Sequence, residues 1–127
     1  MNERKIFDPL SRKVIGCAIE VHRELGPGLL ESTYEACLAQ ELTDQGIPFR
    51  RQLDLPVHYK DKKVDAGYRI DLLVDNSLIM ELKSVDQVLA IHKAQLLTYM
   101  KLSRCKTGLL INFNVSILKN GIKRYVL

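Results

Sequence analysis

The sequence predicts one α/β domain, in which a small mixed β-sheet is flanked by three helices. Apolar residues recur at helical spacing over residues 10–25, 29–45 and 86–104. The continuous apolar run at 107–113 is typical of a fully buried strand. A helix joins this run to the alternating segment 78–84, which predicts a β-α-β unit with parallel pairing. A chain of 127 residues is long enough for one hydrophobic core.

The predicted helices are bounded by capping and breaking residues. Asp8 and Pro9 favour the first helix start, and Gly26-Pro27-Gly28 separates the first helix from the second. Asp86 is predicted to cap the third helix. The residues predicted to face inward are Val14, Ala18, Val21 and Leu25 in the first helix, Leu30, Tyr34, Cys37, Leu38 and Leu42 in the second, and Val88, Ile91, Gln95, Leu96, Tyr99 and Leu102 in the third.

Turn residues place the outer strands. Pro56 makes residues 49–60 an edge strand or a strand with a break, because proline cannot donate to a β-ladder. Residues 61–63 are predicted to form a turn. Asn120-Gly121 predicts a hairpin turn that joins strands over residues 116–119 and 122–126.

The segment 68–84, YRIDLLVDNSLIMELKS, combines two predicted strands with acidic and basic side chains. A strand at its end would point Glu81 and Lys83 to one face and Leu78, Met80 and Leu82 to the other. Chemistry would then lie on one face of the strand and packing on the other. By itself, an E-x-K tripeptide is more typical of an exposed ion pair on a solvated strand.

The turn in this segment decides what faces Glu81. If residues 75–77 form a three-residue loop, Val74 pairs with Leu78, and Asp71 lies opposite Glu81 on the same face. A two-residue loop would place the two acids on opposite faces. Two carboxylates at the spacing of a cross-strand pair destabilise the sheet unless something neutralises them.

Two facing carboxylates and a lysine suggest a site for a hard divalent cation. Mg²⁺ prefers oxygen ligands and is commonly held by one or two carboxylates together with water and phosphate oxygens. Asp71 and Glu81 suit that role. Lys83 would orient or deprotonate an attacking water, or stabilise charge that develops on a phosphate.

The order of these motifs resembles a known group of enzymes. Asp71, then Glu81-Leu82-Lys83, then a helix that contains Gln95, resembles the PD-(D/E)xK nuclease superfamily. Upstream, Gly28-Leu-Leu-Glu31-Ser-Thr-Tyr34 resembles the motif that names the GxxExxY protein family, a small bacterial and archaeal group usually placed in that superfamily. The resemblance covers residues 15–113 and implies a restriction-endonuclease-like core. Ile70 stands where the superfamily label has proline, which leaves the neighbouring carboxylate in place.

The resemblance also bears on residues whose role the spacing leaves open. Glu31 lies in a first helical turn, where the helix dipole favours an acid for structural reasons alone; the resemblance implies that Glu31 joins Asp71 and Glu81 in binding metal. Gln95 is an amide in an apolar row, so it bonds either backbone groups or the active site. The resemblance implies that it supports the catalytic lysine or water.

Three further residues are assigned supporting roles. Gly28 is explained by a tight turn that needs positive φ or close backbone approach. Tyr34 is predicted to be a core aromatic residue whose hydroxyl group is hydrogen-bonded, supporting the site at most. His92, one turn before Gln95, is placed to contact substrate.

Composition limits the classes of protein to which the chain belongs. The first residues, MNERKIFDP, lack the apolar core of a signal peptide, and no run of 18 apolar residues occurs, so we expect a cytoplasmic protein that does not span a membrane. Three widely spaced cysteines predict buried, reduced thiols. The net charge of +4 is compatible with a polyanionic partner but does not demand one. The basic residues near 50–63 and 119–124 either follow a phosphate backbone or blunt exposed edges.

These observations predict a nuclease that depends on Mg²⁺ or Mn²⁺ and hydrolyses phosphodiester bonds of nucleic acid, with DNA favoured. Asp71 and Glu81 are the predicted metal ligands, with Glu31 as an additional ligand implied by the resemblance; Lys83 is the catalytic lysine and Gln95 its support. A catalytically inactive binding module that keeps the fold is the alternative, because a fold does not prove turnover. A structural or regulatory protein, dimerising through its first helix, is a third possibility.

Overall fold

A five-stranded mixed sheet with helices on both faces forms the centre of the protein, which confirms the predicted fold class. The structure, a computed structural model, describes residues 8–127. The elements in chain order are α1 (Pro9–Leu25), α2 (Glu31–Asp44), β1 (Phe49–Tyr59), β2 (Lys62–Val74), β3 (Leu78–Lys83), α3 (Ala90–Ser103), β4 (Thr107–Asn112), a 3₁₀ helix (Leu118–Gly121) and β5 (Ile122–Val126). The strands lie in the order β1-β2-β3-β4-β5. β3 and β4 pair in parallel, as predicted, and every other neighbouring pair is antiparallel.

Hydrophobic clusters cover both faces of the sheet. Leu72, Met80 and Leu82 belong to the cluster that contains residues of α1 and α2. Ile79 and Leu110 belong to the second cluster, which contains residues of α3. The alternation in β3 is therefore confirmed, but the expectation that packing occupies only one face is wrong. A strand with neighbours on both sides in a sheet covered by helices is buried on both faces.

The first two helices begin close to the predicted positions. The Asp8 carboxylate accepts a hydrogen bond from the backbone N–H of Ser11 at 2.7 Å, which confirms it as the cap of α1. α2 begins two residues later than predicted, and Leu30 is its N-cap. Leu30 therefore has an extended backbone and is 73% exposed, so its predicted burial is wrong.

The third helix differs more from the prediction. It begins at Ala90, with Leu89 as its N-cap, so the predicted cap at Asp86 is wrong; the Asp86 carboxylate accepts a hydrogen bond from the side chain of Asn114 instead. Ile91 and Leu102 are exposed, whereas Met100 is buried in their place. Met100 packs where Gly108 of β4 leaves room, since a Cβ atom at Gly108 would overlap the Met100 sulfur.

The β1–β2 turn is shorter than predicted, because Lys60 and Asp61 alone form it. Both have positive φ, 49° and 63°, and Tyr59 pairs with Lys62. This geometry is typical of a two-residue hairpin turn. β1 lies at the edge of the sheet, and its register shifts between Leu55 and Val57, so the predicted edge strand with a break at Pro56 is confirmed.

The predicted C-terminal hairpin is wrong. Asn120 and Gly121 end a 3₁₀ helix, and only the strand after them, β5, forms. In the described part of the chain, positive φ does not occur at either residue, although the type I′ turn that Asn-Gly favours needs it at both. Gly121 instead lies so close to the carbonyl oxygen of Asn112 that a Cβ atom would come within 2.2 Å of it.

The cysteines are free, as predicted, with Cys17 and Cys105 buried and Cys37 partly exposed. Among residues 8–127, no helix has the length and apolar character needed to cross a membrane.

Substituting Gly121→Ala tests the close approach in the C-terminal segment. The added methyl group overlaps backbone, which cannot move away as a flexible side chain can. We expect the free energy of unfolding to fall by about 1–3 kcal/mol, the usual cost of overpacking. Gly16→Ala is the matched control, because Gly16 lies in α1 and a Cβ atom there meets no other atom within 4 Å. That variant should gain stability, by up to about 1 kcal/mol. Urea unfolding measures both, and equal stabilities would contradict the packing argument.

Candidate active site

The turn between β2 and β3 has the predicted three residues and the predicted register. Val74 pairs with Leu78, Leu73 with Ile79 and Leu72 with Met80. Asp75 and Asn76 take left-handed conformations, with φ of 51° and 54°. The next position along this register places Asp71 opposite Glu81. The arrangement predicted from loop length is confirmed.

At that position, hydrogen bonds to the two carboxylates replace the backbone-to-backbone hydrogen bonds between β2 and β3. The backbone N–H of Asp71 donates to Oε1 of Glu81 at 3.1 Å. In the other direction, the backbone N–H of Leu82 donates to Oδ2 of Asp71 at 2.9 Å. The regular pairs of β2 and β3 stop at Leu72 and Met80. Each carboxylate therefore lies between the strands and satisfies a backbone N–H of the opposite one.

The burial of these side chains rules out a solvated ion pair. Glu81 is only 5% exposed. Burial raises the pKa of Glu81 to about 8, with the charge of Asp71 acting in the same direction. Burial also raises the pKa of Asp71, and the charge of Glu35 adds to that effect. Lys83 favours the charged form of both acids, but among residues 8–127 no carboxylate lies within ion-pair distance of its ammonium group. If both acids were ionised, two like charges would therefore face each other with no closely paired cation among the described residues.

The end of β3, which carries Lys83, is held from its β4 side. Lys83 pairs with Asn112 in the parallel ladder, and its carbonyl group accepts from the N–H of Phe113 at 2.8 Å. The buried Asn112 side chain then accepts from the backbone N–H of Val85 at 3.1 Å and donates to the Val85 carbonyl at 2.9 Å. These contacts fix the backbone on both sides of Ser84, so the lysine projects from a rigid segment.

The structure gives a physical reason for the G-x-x-E-x-x-Y spacing. The hydroxyl group of Tyr34 donates to the carbonyl of Gly26 at 2.5 Å and accepts from the N–H of Leu29 at 3.2 Å. Its ring is fully buried and stacks on Phe113 at a centroid distance of 4.3 Å. Gly28, between the two bonded residues, has a φ of 94°, a conformation that glycine adopts without strain. Tyr34 therefore fixes the turn that leads into α2, which confirms its predicted hydroxyl partners.

The same turn brings Glu31 to the end of β3. Oε2 of Glu31 accepts from the N–H of Ser84 at 3.4 Å, and the Ser84 hydroxyl donates to the carbonyl of Leu29 at 2.6 Å. The charge of Glu31 also acts on Glu81, where it favours the protonated form. A cavity of about 540 Å³ lies beside this contact. It is lined by Gly28, Leu29, Leu30, Thr33, Ser84 and Asn114.

A fourth acid, Glu35, was missed in the sequence. It lies one helical turn after Glu31, is 7% exposed, and forms an ion pair with Arg51 at 3.1 Å. The amide of Gln52 donates to Oε1 of Glu35 at 2.6 Å and to Oδ1 of Asp71 at 3.4 Å. Gln52 also has a positive φ of 49° within a strand, which is rare for a residue other than glycine. The spacing of four residues from Glu31 was the only sequence signal for Glu35.

The helix after β3 supplies a tyrosine where only a glutamine was expected. Gln95 is partly buried and donates to the hydroxyl of Tyr99 at 2.8 Å. Burial raises the pKa of Tyr99, and the charge of Glu81 acts in the same direction, so this hydroxyl lies within electrostatic reach of the acids. The supporting role predicted for Gln95 remains a prediction, and the contact that the structure shows is with Tyr99. His92 caps α3, because its Nδ1 accepts from the N–H of Leu89 at 3.0 Å.

The donor set fits a hard divalent cation in number and chemistry. Asp71 and Glu81 supply carboxylate oxygens, which Mg²⁺ prefers, and Mg²⁺ is often held by one or two carboxylates with water and phosphate completing its shell. Burial raises the pKa of both carboxylates, and a bound cation would favour their ionised forms. Among the described residues, no three or more His, Cys, Asp or Glu side chains form a ready metal cluster. The predicted third ligand, Glu31, therefore remains a prediction.

Removing the Tyr34 hydroxyl group, in Tyr34→Phe, tests its role in the turn. The ring keeps its stacking on Phe113, while the Leu29 N–H and the Gly26 carbonyl each lose a partner. We expect a loss of about 1–3 kcal/mol in the free energy of unfolding. Tyr59→Phe, at a 60% exposed position, should change it by less than about 0.5 kcal/mol. If urea unfolding gives the two variants the same stability, the hydroxyl does not hold the turn.

The raised pKa of Glu81 predicts how stability depends on pH in the presence of EDTA. The folded protein binds the proton of Glu81 more tightly than the unfolded chain, whose glutamate keeps a pKa near its ordinary 4.5. The free energy of unfolding should therefore fall as pH rises from about 4.5 to 8. We expect a fall of a few kcal/mol, since a tenfold change in proton affinity is worth about 1.4 kcal/mol.

Glu81→Gln keeps the acceptor for the Asp71 N–H but cannot ionise, so this variant should lose most of that pH dependence and exceed the parent in stability at pH 8. Glu24→Gln, an exposed position in α1, is the control and should keep the parental slope. Urea unfolding at several pH values measures these slopes. A parental slope in Glu81→Gln would mean that another group titrates.

Comparison with known families agrees with the geometry. A family model described as the PD-(D/E)XK nuclease superfamily matches residues 8–125. No curated protein and no solved structure gives a significant match. The match covers nearly the whole chain and includes the acids of β2 and β3, the lysine that follows them and α3; it does not test the narrower G-x-x-E-x-x-Y grouping. This chain belongs to the PD-(D/E)XK nuclease superfamily.

Proposed function

We propose that this protein is a metal-dependent nuclease that hydrolyses phosphodiester bonds of nucleic acid, with DNA as the favoured substrate, and that it belongs to the GxxExxY group of the superfamily. The observation that carries the proposal is the pair formed by the buried Glu81 and the partly buried Asp71, with Lys83 two residues further along β3. These acids satisfy backbone N–H groups of the two strands, yet both have a raised pKa, so ionising the pair is costly unless a cation is bound. Retaining so costly a pair is expected where it binds a cation.

Asp71 and Glu81 would hold Mg²⁺ or Mn²⁺ between β2 and β3. Glu31 is the proposed additional ligand, because it approaches the end of β3 and its charge acts on Glu81. Glu35 has a different role, since its carboxylate is engaged by Arg51 and Gln52. It holds Gln52 against Asp71 and thereby keeps that carboxylate in place. A cation bound here would lower the pKa of a bound water and polarise the phosphate.

Lys83 is the proposed catalytic lysine. Its backbone is fixed by Phe113 and by the ladder to β4, and its ammonium lies near two acids without pairing closely with either. The ammonium is therefore available to orient the attacking water and to stabilise charge on the phosphate. Gln95 contributes by holding Tyr99 beside Glu81. His92 is proposed to contact substrate through Nε2, because its Nδ1 accepts the capping bond from Leu89.

Incubation with double- and single-stranded DNA and RNA tests the proposal, with Mg²⁺, Mn²⁺ or EDTA. We expect metal-dependent cleavage that Lys83→Ala lowers by about 10²–10⁴-fold, the usual contribution of a positioned acid–base group. Lys101→Ala, an exposed residue of α3, is the matched control and should retain parental activity. Cleavage that is equal in the parent and in Lys83→Ala would exclude this site as its source.

A binding measurement separates loss of metal from loss of chemistry. Mg²⁺ should raise the melting temperature of the parent and of Lys83→Ala alike, because the lysine is not a ligand. It should raise the melting temperature of Asp71→Asn much less, since ligand binding stabilises only the state that binds. If Mg²⁺ stabilises the protein but no nucleic acid is cut, the inactive binding module would be favoured.

A further inference from the structure

The β1–β2 hairpin extends far beyond the rest of the sheet. β2 has 13 residues, but β3 has only six and pairs with the last three residues of β2. Every residue from Lys62 to Arg69 is exposed. At about 3.3 Å per residue, the uncovered part of β2 is on the order of 25 Å long. Residues 56–69 therefore form a free two-stranded arm, here called the ribbon.

The ribbon begins at the proposed active site. β2 and β3 are antiparallel. The end of β3 at Lys83 therefore lies at the same end of the sheet as the part of β2 that precedes Asp71, and this part leads to the tip of the ribbon. Tyr68, near the base of the ribbon, contacts Tyr99 of the site with ring centroids 5.8 Å apart. Nucleic acid held at the carboxylates would thus lie alongside the ribbon.

The positive charge of the ribbon is concentrated at its tip. Lys60, Lys62 and Lys63 are all exposed there, with Asp61 as the only acid among residues 58–64. Near the base, Arg69 is paired with Asp54 at 3.1 Å, so these charges offset each other. An exposed cluster of lysines on an arm that leaves the active site is the charge pattern expected for contact with phosphates.

Features of both ribbon edges oppose pairing with a strand of another chain. Pro56 lies on the outer edge, where the register shifts and no N–H is available. On the other strand, Gly67 has a φ of 75° and its N–H bonds to the Asp65 side chain, which interrupts the regular edge. A second copy of the chain is therefore a poor occupant of this arm.

We propose that the ribbon binds duplex DNA by entering the major groove while its tip lysines contact the flanking phosphates. The major groove of B-form DNA, about 12 Å wide and 8.5 Å deep, admits a two-stranded ribbon. The major groove of A-form RNA is deep and narrow, and side chains do not read it. The ribbon thus selects double-stranded DNA over double-stranded RNA. This inference rests on the proposed nuclease function for the substrate at the carboxylates, but it makes a separate claim about binding.

Binding of labelled 20-base-pair DNA, the matching RNA duplex and the single DNA strand tests the inference. The measurements use EDTA, so that no cleavage is required, and a series of salt concentrations. The variant combines Lys60→Gln, Lys62→Gln and Lys63→Gln. The control combines Lys13→Gln, Lys101→Gln and Lys106→Gln, which removes the same charge from exposed positions off the ribbon. Urea unfolding confirms that both variants fold, and sedimentation reports their oligomeric state.

The parent should bind duplex DNA more tightly than duplex RNA or the single strand. The ribbon variant should reduce the slope of log K against log salt by about 2–3, since each lost phosphate contact contributes about 0.9. The control should retain most of the parental slope. Equal binding and equal slopes for the two variants would overturn the proposal, as would stronger binding of single strands or a dimer that depends on the ribbon.

The outcome is distinguishable from failure of the nuclease proposal. If the parent cuts DNA but the ribbon variant binds normally, the ribbon inference fails and the nuclease proposal stands. If the parent binds through the ribbon but cuts nothing with any metal, the inference stands and the enzyme claim fails.

Discussion

The site depends on two hydrogen bonds between β2 and β3, in which a carboxylate of each strand accepts from a backbone N–H of the other. Antiparallel strands normally bond backbone to backbone, which leaves no room between them. Here each strand bonds to a carboxylate of the other, so β2 and β3 separate at the point where the acids lie. The backbone groups stay satisfied, which a simple gap in a sheet would not achieve. A pair of oxygen ligands can therefore lie inside a packed sheet without leaving buried N–H groups unpaired.

The surrounding packing makes this arrangement possible despite its electrostatic cost. Both faces of β3 are covered by apolar clusters, and its end is fixed by Asn112 and Phe113. Burial excludes water from the acids and so raises their pKa, but it also strengthens their attraction to a cation. Tyr34 extends the same rigidity to Glu31 by fixing the turn before α2. The apolar packing thus makes the two carboxylates costly to ionise and, for the same reason, increases the attraction that the ionised carboxylates would have for a cation.

The parts of the site that could be predicted from the sequence are those set by local spacing. Loop length fixed the register of Asp71 and Glu81, and the alternation of β3 identified its two faces. What could not be predicted depends on contacts between distant segments. Glu35 is recognisable only when Gln52 and Arg51 are seen beside it. α3 begins at Ala90 while the Asp86 carboxylate bonds the side chain of Asn114, and Gly121 lies in a close backbone approach instead of a turn. In each case the local sequence preference predicted one structure, and the side chain or backbone instead makes a contact with a distant segment.

If the site binds the proposed cation, that cation and a proton on Glu81 are two alternative ways to remove the repulsion between the carboxylates. Without metal, a proton on Glu81 removes the repulsion, and a pKa of about 8 means that this form dominates at neutral pH. A cation removes the same repulsion but needs the ionised carboxylate, so its binding below pH 8 must release a proton. Proton and metal therefore compete for one position between the strands. The backbone N–H groups of Asp71 and Leu82 already bond these carboxylates without a cation, so the sheet needs no metal to satisfy them.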